Sequence, residues 1–137
     1  MHSHKPILLL EDDQVDAMTV ERAFKEIKVV NQLIIVGNGE EGLDYLRNED
    51  NEKPCVILLD INMPRMNGLE FLKIVKQDSS FKRIPVVILT TSNEDQDRIE
   101  SFNHSVAGYI IKPVEYVSFV EATRALDVYW TLSELPE

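Results

Sequence analysis

The stretch VILLDINMPRMNG, residues 56–68, decides the fold of this chain. Its first four residues are apolar without interruption, and such runs are expected for parallel strands that are covered on both faces. Asp60 ends the run, and the remaining residues follow it as a loop. In open parallel sheets, functional sites lie beyond the carboxyl ends of the strands. The sequence therefore predicts that a buried strand carries the Asp60 carboxylate to a site at the edge of a sheet.

Other short apolar runs extend this pattern to a whole sheet, at residues 7–10, 33–36, 86–89 and 109–111. Apolar residues recur between them with the period of a helix, at Ala17, Val20, Phe24 and Ile27, at Gly68, Phe71, Leu72 and Val75, and at Phe119, Ala122, Leu126 and Tyr129. A short helix at 41–46 is expected after the turn at 37–39, and a fourth helix at 92–103. Strand and helix thus alternate five times. This order predicts a doubly wound α/β fold, with a five-stranded parallel sheet, helices on both faces and right-handed crossovers.

The size and composition of the chain limit the classes of protein to which it can belong. Its 137 residues fit one domain. We expect a single domain at 1–137, with a mobile N-terminus at 1–5, a short tail at 133–137 and no output domain. The net charge of −10 argues against nucleic acid or an anionic membrane as a direct partner. The one cysteine, Cys55, cannot pair within the chain, and we expect a buried, inert thiol in a reducing compartment. Neither a signal peptide nor an apolar segment of transmembrane length is visible, so a cytoplasmic location is expected.

Chemically active side chains follow four of the predicted strands: Glu11 and Asp12 the first, Asp60 the third, Thr90 the fourth and Lys112 the fifth. Three carboxylates brought together would repel one another. A hard divalent ion such as Mg²⁺ resolves the repulsion, because it takes one or two carboxylates together with waters and phosphate oxygens. The alternative is that Glu11, Asp12 and Asp13 only cap the first helix, whose positive end favours acids.

Thr90 and Lys112 supply a hydroxyl and a cation next to the predicted metal. Together they form a cradle for a tetrahedral dianion attached to Asp60, which implies that this carboxylate acts as a nucleophile toward phosphorus and forms an acyl phosphate. The alternative for Lys112 is an ordinary solvated lysine. The following Pro113 argues against that reading, because a Lys-Pro bond at a strand end fixes the direction of the chain.

These residues in this order, Glu11-Asp12, Asp60, Thr90 and Lys112-Pro113, resemble the signature of the response-regulator receiver family over nearly the whole chain. Segments 58–64 with Gly68, and 108–113, are each specific motifs. The resemblance implies a flavodoxin-like (βα)5 fold with strand order 2-1-3-4-5. It also implies that Asp60 accepts a phosphoryl group from a phosphohistidine, with Mg²⁺ held by Asp12, Asp60 and the main-chain carbonyl of Asn62. Glu11 would assist through water, and Glu11, Asn62 and Met63 would support the phosphoryl group or the metal.

The resemblance further implies a conformational switch. Thr90 and Lys112 would bind the phosphoryl oxygens, Thr90 would turn toward the new group, and Tyr109 would move inward behind it. The signal would leave through the face made by the fourth helix, the fifth strand and the fifth helix. The alternative for Tyr109 is a half-buried strand aromatic with no such role.

The resemblance also names partners. The phosphoryl donor would be a histidine kinase or a histidine phosphotransfer protein, and a receiver without an output domain must signal by contact with a downstream protein. Residues 83–92 and the pair Tyr129-Trp130 are similar to small regulators associated with phytochrome-type histidine kinases. Because many of those self-associate, a homodimer is expected through the C-terminal helix or through the face of the fourth helix, fifth strand and fifth helix.

Three rival functions fit parts of the pattern. A phosphatase of the haloacid dehalogenase type also has a nucleophilic Asp after a strand, but it needs a second Asp two residues on as general acid, and Asn62 cannot donate that proton. Turnover of external substrates is therefore not expected. A flavodoxin-type FMN carrier would need hydroxyls and glycine amides after the first strand, where the acids at 11–13 would repel phosphate. A receiver that serves only as a scaffold would not need the full set of acids with Thr90 and Lys112.

Overall fold

The computed structural model describes residues 5–26, 28–61, 63, 66–90, 106–111, 117, 120 and 121, with the backbone alone at Thr90, Ile110 and Ile111. The strands there are β1 (Ile7–Leu10), β2 (Leu33–Val36), β3 (Val56–Asp60), β4 (Val86–Thr90) and β5 (Gly108–Ile111). The helices among the described residues are α1 (Gln14–Glu26), α2 (Gly39–Arg47) and α3 (Gly68–Gln77). All five predicted strands are confirmed.

The strands form one sheet in the order β2-β1-β3-β4-β5, and every neighbouring pair is parallel. The predicted fold class and strand order are confirmed. Parallel pairing places all the carboxyl ends at one edge, which we call the carboxyl edge of the sheet. Leu10 is in register with Leu59, and Asp60 with Leu89. The residues that follow β1 and end β3 and β4 therefore lie side by side.

Alternate residues of the central strands are buried in two separate clusters. Leu8, Ile57 and Ile88 belong to a cluster with the apolar sides of α2 and α3. Their neighbours in the sequence, such as Leu9 and Leu58, belong to a cluster with α1 and Val120 on the other face. Both faces are covered, and this explains why these strands are continuously apolar rather than alternating.

The helices follow the predicted patterns with one difference in length. Of the four apolar positions predicted for the first helix, Ala17, Val20 and Phe24 are buried in α1, and Ile27 lies outside the described residues. All four apolar positions predicted for the third helix are buried in α3. The second helix, expected at 41–46, extends over Gly39–Arg47. Its start is earlier because Asn38 caps it: the side chain accepts a hydrogen bond from the Glu41 amide at 2.9 Å, as is usual for an N-cap.

The predicted fourth helix and most of the predicted fifth lie outside the described residues, as does the pair Tyr129-Trp130. Of the fifth helix, Val117, Val120 and Glu121 are described and are helical. Within the described residues, no helix has the length and apolar character needed to cross a membrane.

At the opposite edge of the sheet, where the strands begin, hydrogen bonds to backbone carbonyls hold the chain in place. The Asn31 side-chain amide donates to the Lys5 carbonyl at 2.7 Å, and the Cys55 amide donates to the Pro6 carbonyl at 2.9 Å. The Cys55 side chain is buried there. Burial raises the pKa of its thiol to about 11, so the thiolate, which is the reactive form, is scarce at neutral pH. The polar connection that precedes Pro54, residues 47–53, is largely exposed, as predicted.

Helix α1 ends in a left-handed residue that is not glycine. Lys28 has a φ of 60°, and around it the Lys28 amide donates to the Lys25 carbonyl and the Val29 amide to the Phe24 carbonyl. This is the hydrogen-bond pattern of a Schellman C-cap, which favours glycine at the left-handed position. We expect Lys28→Gly to raise the free energy of unfolding by about 1 kcal/mol, because it removes the cost of that conformation for a residue with a Cβ. Urea denaturation followed by circular dichroism measures it; a loss of stability would contradict the assignment of the cap.

Candidate functional site

The carboxyl edge brings the predicted acids together through strand register. Glu11 follows β1 directly, and its amide donates to the Val36 carbonyl at 3.0 Å. Asp60 is the last residue of β3, and the next amide, that of Ile61, donates to the Leu89 carbonyl at 3.3 Å. The backbones that carry these side chains are thus held by the neighbouring strands. The positions of the acids are therefore set by the sheet itself.

Glu11, Asp12 and Asp60 form one cluster. Each offers a carboxylate oxygen, and these oxygens all lie within 4.8 Å of one another. Glu11 and Asp60 are each only 3% exposed, whereas Asp12 is exposed. At 4.8 Å, two ionised carboxylates repel by about 3.5 kcal/mol at an effective dielectric constant of about 20. A cation bound among these oxygens would offset the repulsion.

The third acid of the run, Asp13, has a different task. Its carboxylate accepts hydrogen bonds from the Val15 amide at 2.8 Å and the Asp16 amide at 3.1 Å, so it caps α1. The Asp13 amide donates in turn to the Glu11 carboxylate at 3.2 Å. The capping interpretation therefore holds for Asp13, whereas Glu11 and Asp12 lie beside Asp60.

The donor set fits a hard divalent cation. Oxygen ligands, a separation below 5 Å and one exposed carboxylate, that of Asp12, are what Mg²⁺ or Mn²⁺ requires when it keeps part of its water shell. The set does not fit a structural zinc site, since the part of the chain that the structure describes adds no cysteine or histidine to this cluster. Asp12 and Asp60 would hold the ion, which would supply positive charge to neutralise anionic oxygens at this edge.

The loop after β3 is held close to the strand. The Gly68 amide donates to the Ile61 carbonyl at 2.9 Å, which closes the loop on itself. A Cβ on Gly68 would collide with the carbonyl oxygen of Asp60 and lie 2.6 Å from Ile61 Cα. Only glycine leaves room for this approach, so Gly68 sets how the backbone leaves Asp60. Asn67 then starts α3 with a capping box, in which its side chain accepts from the Glu70 amide at 3.0 Å.

The structure describes some of the remaining predicted site residues and not others. The backbone of Thr90 ends β4 at the carboxyl edge, in register with Ile111. Tyr109 is half-buried and packs against the cluster on the α2 and α3 side. The Met63 side chain is buried in that same cluster, so any part it plays at the acids is through its backbone. The predicted roles of Asn62, Lys112 and Pro113 fall on residues outside the described part of the chain.

One contact at this edge was not predicted from the sequence. The Gly39 amide, at the start of α2, donates to the Met66 carbonyl in the loop after β3 at 3.1 Å. The sequence signal for it is weak. Asn38 and Glu41, like Asn67 and Glu70, follow the capping pattern that marks a helix start, but nothing in that pattern says that the two helix starts lie together.

The fold and the acidic cluster define a class of signalling protein. The sequence matches the family model of the response regulator receiver domain over residues 7–124, and the chain belongs to that family. Receivers act in two-component signalling, are phosphorylated by histidine kinases and bind a divalent metal.

Among particular relatives, the chain is similar to response regulator Rcp1 of Synechocystis sp., with 34% identity over 130 residues that cover 92% of this chain and 88% of Rcp1. The solved structure of the bacteriophytochrome response regulator RtBRR shares 41% identity, with a TM-score of 0.80, over 90% of this chain and 78% of RtBRR. The phosphorylated cyanobacterial phytochrome response regulator RcpA shares 33% identity, with a TM-score of 0.82, over 94% and 95%. The Mn²⁺-bound form of Rcp1 matches with 34% identity and a TM-score of 0.79 over 92% and 94%.

Proposed function

We propose that Asp60 is the phosphoryl acceptor of this receiver and that Mg²⁺ is the ion required for the transfer. The observation that carries the proposal is the cluster of Glu11, Asp12 and Asp60, whose carboxylate oxygens lie within 4.8 Å of one another at the carboxyl edge. Of the three, Asp60 alone ends a central strand and is followed by the loop that Gly68 holds against it. The phosphorylated form of the relative RcpA supports the same chemistry.

The transfer needs little from the protein beyond position and charge. An oxygen of the Asp60 carboxylate attacks phosphorus, the new O–P bond forms as the N–P bond of the phosphohistidine breaks, and the imidazole leaves with the electron pair. Burial of Asp60 keeps its carboxylate in one orientation and limits the number of waters that compete for phosphorus. Lys112 and Thr90 are proposed to bind the phosphoryl oxygens, as the family motif implies.

The other roles follow from the same motif. Asp12, Asp60 and the main-chain carbonyl of Asn62 are proposed as ligands of Mg²⁺, with Glu11 assisting through water. Hydrolysis of the acyl phosphate by water would return the protein to its resting state, so the chain would catalyse its own dephosphorylation and no turnover of an external substrate. Thr90 and Tyr109 are proposed to carry the switch. Tyr109 is half-buried, so the proposed inward movement would bury it further.

The partners of the reaction are proposed from the site and its surroundings. The donor is a histidine kinase or a histidine phosphotransfer protein, and the exposed apolar side chains of Val15 and Met18 on α1, which begins beside Asp12 and Asp13, offer it a contact surface. The names of RtBRR and RcpA support a kinase of the phytochrome type. The output is proposed to be contact of a single receiver domain with a downstream protein, or a homodimer, in the cytoplasm where such kinases use ATP.

The test is the intact mass of the protein after incubation with acetyl phosphate, with and without Mg²⁺. A Mg²⁺-dependent gain of one phosphoryl group is expected. If the wild type gains no phosphoryl group from acetyl phosphate or from a phosphohistidine donor, the proposed function is wrong. The hypothesis of a receiver that serves only as a scaffold then replaces it.

The roles assigned to neighbouring acids can be separated by a matched pair of substitutions. We expect Asp12→Asn to weaken Mg²⁺ binding by at least about tenfold, since loss of a ligand costs no less than loss of an outer partner, and to raise the melting temperature of the metal-free protein by relieving repulsion. Asp13→Asn removes the same charge one residue further on but keeps an oxygen that can cap α1. Asp13→Asn is expected to leave the Mg²⁺ affinity and the melting temperature of the metal-free protein near the wild-type values. Mn²⁺ titration by electron paramagnetic resonance, with Mg²⁺ as competitor, measures the affinity, and equal effects of the two substitutions would contradict the assignment.

A further inference from the structure

The start of helix α2 touches the loop that carries the proposed metal carbonyl. The Gly39 amide donates to the Met66 carbonyl at 3.1 Å. A Cβ built on Gly39 would lie 2.8 Å from Met66 Cγ, 2.9 Å from the Met66 carbonyl oxygen and 3.0 Å from Met66 Cβ. The first two separations are shorter than real Cβ atoms show and the third is at the limit, so glycine at this position is what lets α2 and the loop approach each other.

The α2 side of this contact is rigid. Asn38 is buried and caps the helix, and its side-chain amide donates to the Glu41 carboxylate at 3.1 Å. The other oxygen of that carboxylate accepts from the Gly37 amide at 3.2 Å. The turn that presents the Gly39 amide is therefore fixed by hydrogen bonds within the turn and the first residues of α2, and it does not depend on the loop after β3 for its shape.

Among the described residues of the loop after β3, the backbone bonds given so far lie at its two ends. Asp60 belongs to β3, and the Gly68 amide donates to the Ile61 carbonyl. The bond from Gly39 reaches Met66, between those ends, and ties the loop to a second element of the fold. Asn62, whose main-chain carbonyl is the proposed third protein ligand, lies in the same stretch of sequence between Ile61 and Met66.

We infer that Gly39 is a positioning residue for the metal site: its amide and its lack of a side chain fix the loop after β3 so that the loop can meet a divalent cation held by Asp12 and Asp60. The inference rests on the proposed function, because it needs that site to bind the cation. Outer partners that orient metal-binding groups contribute about 10–100-fold to metal affinity, and a contact that holds a whole ligand-bearing segment belongs in that range.

Gly39→Ala tests the inference without disturbing the helix. Within the described residues no glycine has a positive φ, so alanine is sterically allowed by its own backbone, and alanine favours a helix more than glycine does. The three atoms nearest to the added methyl group all belong to Met66. We expect about a tenfold loss of Mn²⁺ and Mg²⁺ affinity by paramagnetic resonance titration. The melting temperature should also fall, because the Met66 carbonyl oxygen, a backbone atom 2.9 Å from the added methyl group, must shift.

Gly37→Ala is the matched control, because its Cβ would meet only the Glu41 carboxylate oxygens, at ordinary separations of 3.7 and 3.9 Å. It is expected to leave metal affinity unchanged. If Gly39→Ala binds the metal as well as the control does, the inference is overturned while the metal site stands. If the wild type itself binds no metal, the site proposal and the inference fall together.

A second measurement uses the wild type alone and decides the matter should Gly39→Ala fail to fold. Coupling between two sites is reciprocal, so metal binding must protect the hydrogen bond from Gly39 to Met66. Amide exchange followed by nuclear magnetic resonance should show that Mg²⁺ slows exchange at Gly39 more than at Gly42, whose amide donates to the Asn38 carbonyl at 3.1 Å within the helix start. Equal slowing at both amides, as general stabilisation would give, overturns the inference.

Discussion

Asp60→Asn is expected to abolish phosphorylation while the protein stays folded. The amide is nearly isosteric with the carboxylate but is a far poorer nucleophile toward phosphorus, and no other carboxylate of the cluster ends β3. The substitution also removes one of three charges that lie within 4.8 Å, so the melting temperature of the metal-free protein should rise. Intact mass after treatment with acetyl phosphate and Mg²⁺ should show no phosphoryl group on the variant.

Asp13→Asn is again the control, since it changes an acid at the same edge that caps α1 and should accept a phosphoryl group as the wild type does. An Asp60→Asn protein that gains the same mass as the wild type would show that the acceptor is another residue. Peptide mapping of the phosphorylated product would then identify it.

The second large effect is expected at Gly68. A methyl group there would collide with the carbonyl oxygen of Asp60 and lie 2.6 Å from Ile61 Cα. Both are backbone atoms of the strand end, and they cannot turn away as a flexible side chain would. We expect Gly68→Ala to lower the free energy of unfolding by about 3 kcal/mol, at the upper end of what overpacking usually costs, and to slow phosphorylation because it displaces Asp60.

Urea denaturation and the rate of acetyl phosphate labelling measure these two effects. Gly108→Ala is the control, because a Cβ at Gly108, at the start of β5, would meet no atom of the described residues within 4 Å. A Gly68→Ala protein as stable as the Gly108→Ala protein would mean that the loop after β3 yields more easily than its close contact with the strand indicates.

The strands and the acids of the site could be predicted because each depends on a short local pattern in the sequence. Continuous apolar runs such as 56–59 indicate that a strand is buried on both faces. In a parallel sheet the carboxyl ends of all strands lie at the same edge, so residues that follow different strands come close together. Glu11 and Asp60 needed no further information to be placed together. The early start of α2 was missed because Asn38 was read as part of a turn, although it also caps the helix.

Other features depend on tertiary geometry that no local pattern contains. Glu11, Asp12 and Asp13 are three similar acids in a row, and only the hydrogen bonds from the Val15 and Asp16 amides separate the cap from the cluster. In the same way, Gly68 belongs to a recognisable motif, but the reason for glycine there is the nearness of the Asp60 backbone. Gly39 carries no signal of its contact with Met66, since the two residues are brought together by the packing of α2 beside α3.

The polar connection before β3 offers an attachment site for a fluorescent label. Residues 48–50 and 52–53 are exposed, and the connection is anchored where the Tyr45 hydroxyl donates to the Glu52 carbonyl at 3.0 Å. It leads into the start of β3, whose five residues separate it from Asp60 by roughly 16 Å. A fluorophore attached at Glu49 would therefore sit on the reverse side of the molecule from the acids. Such a labelled protein could report kinase binding and release in real time without altering the groups that handle phosphate.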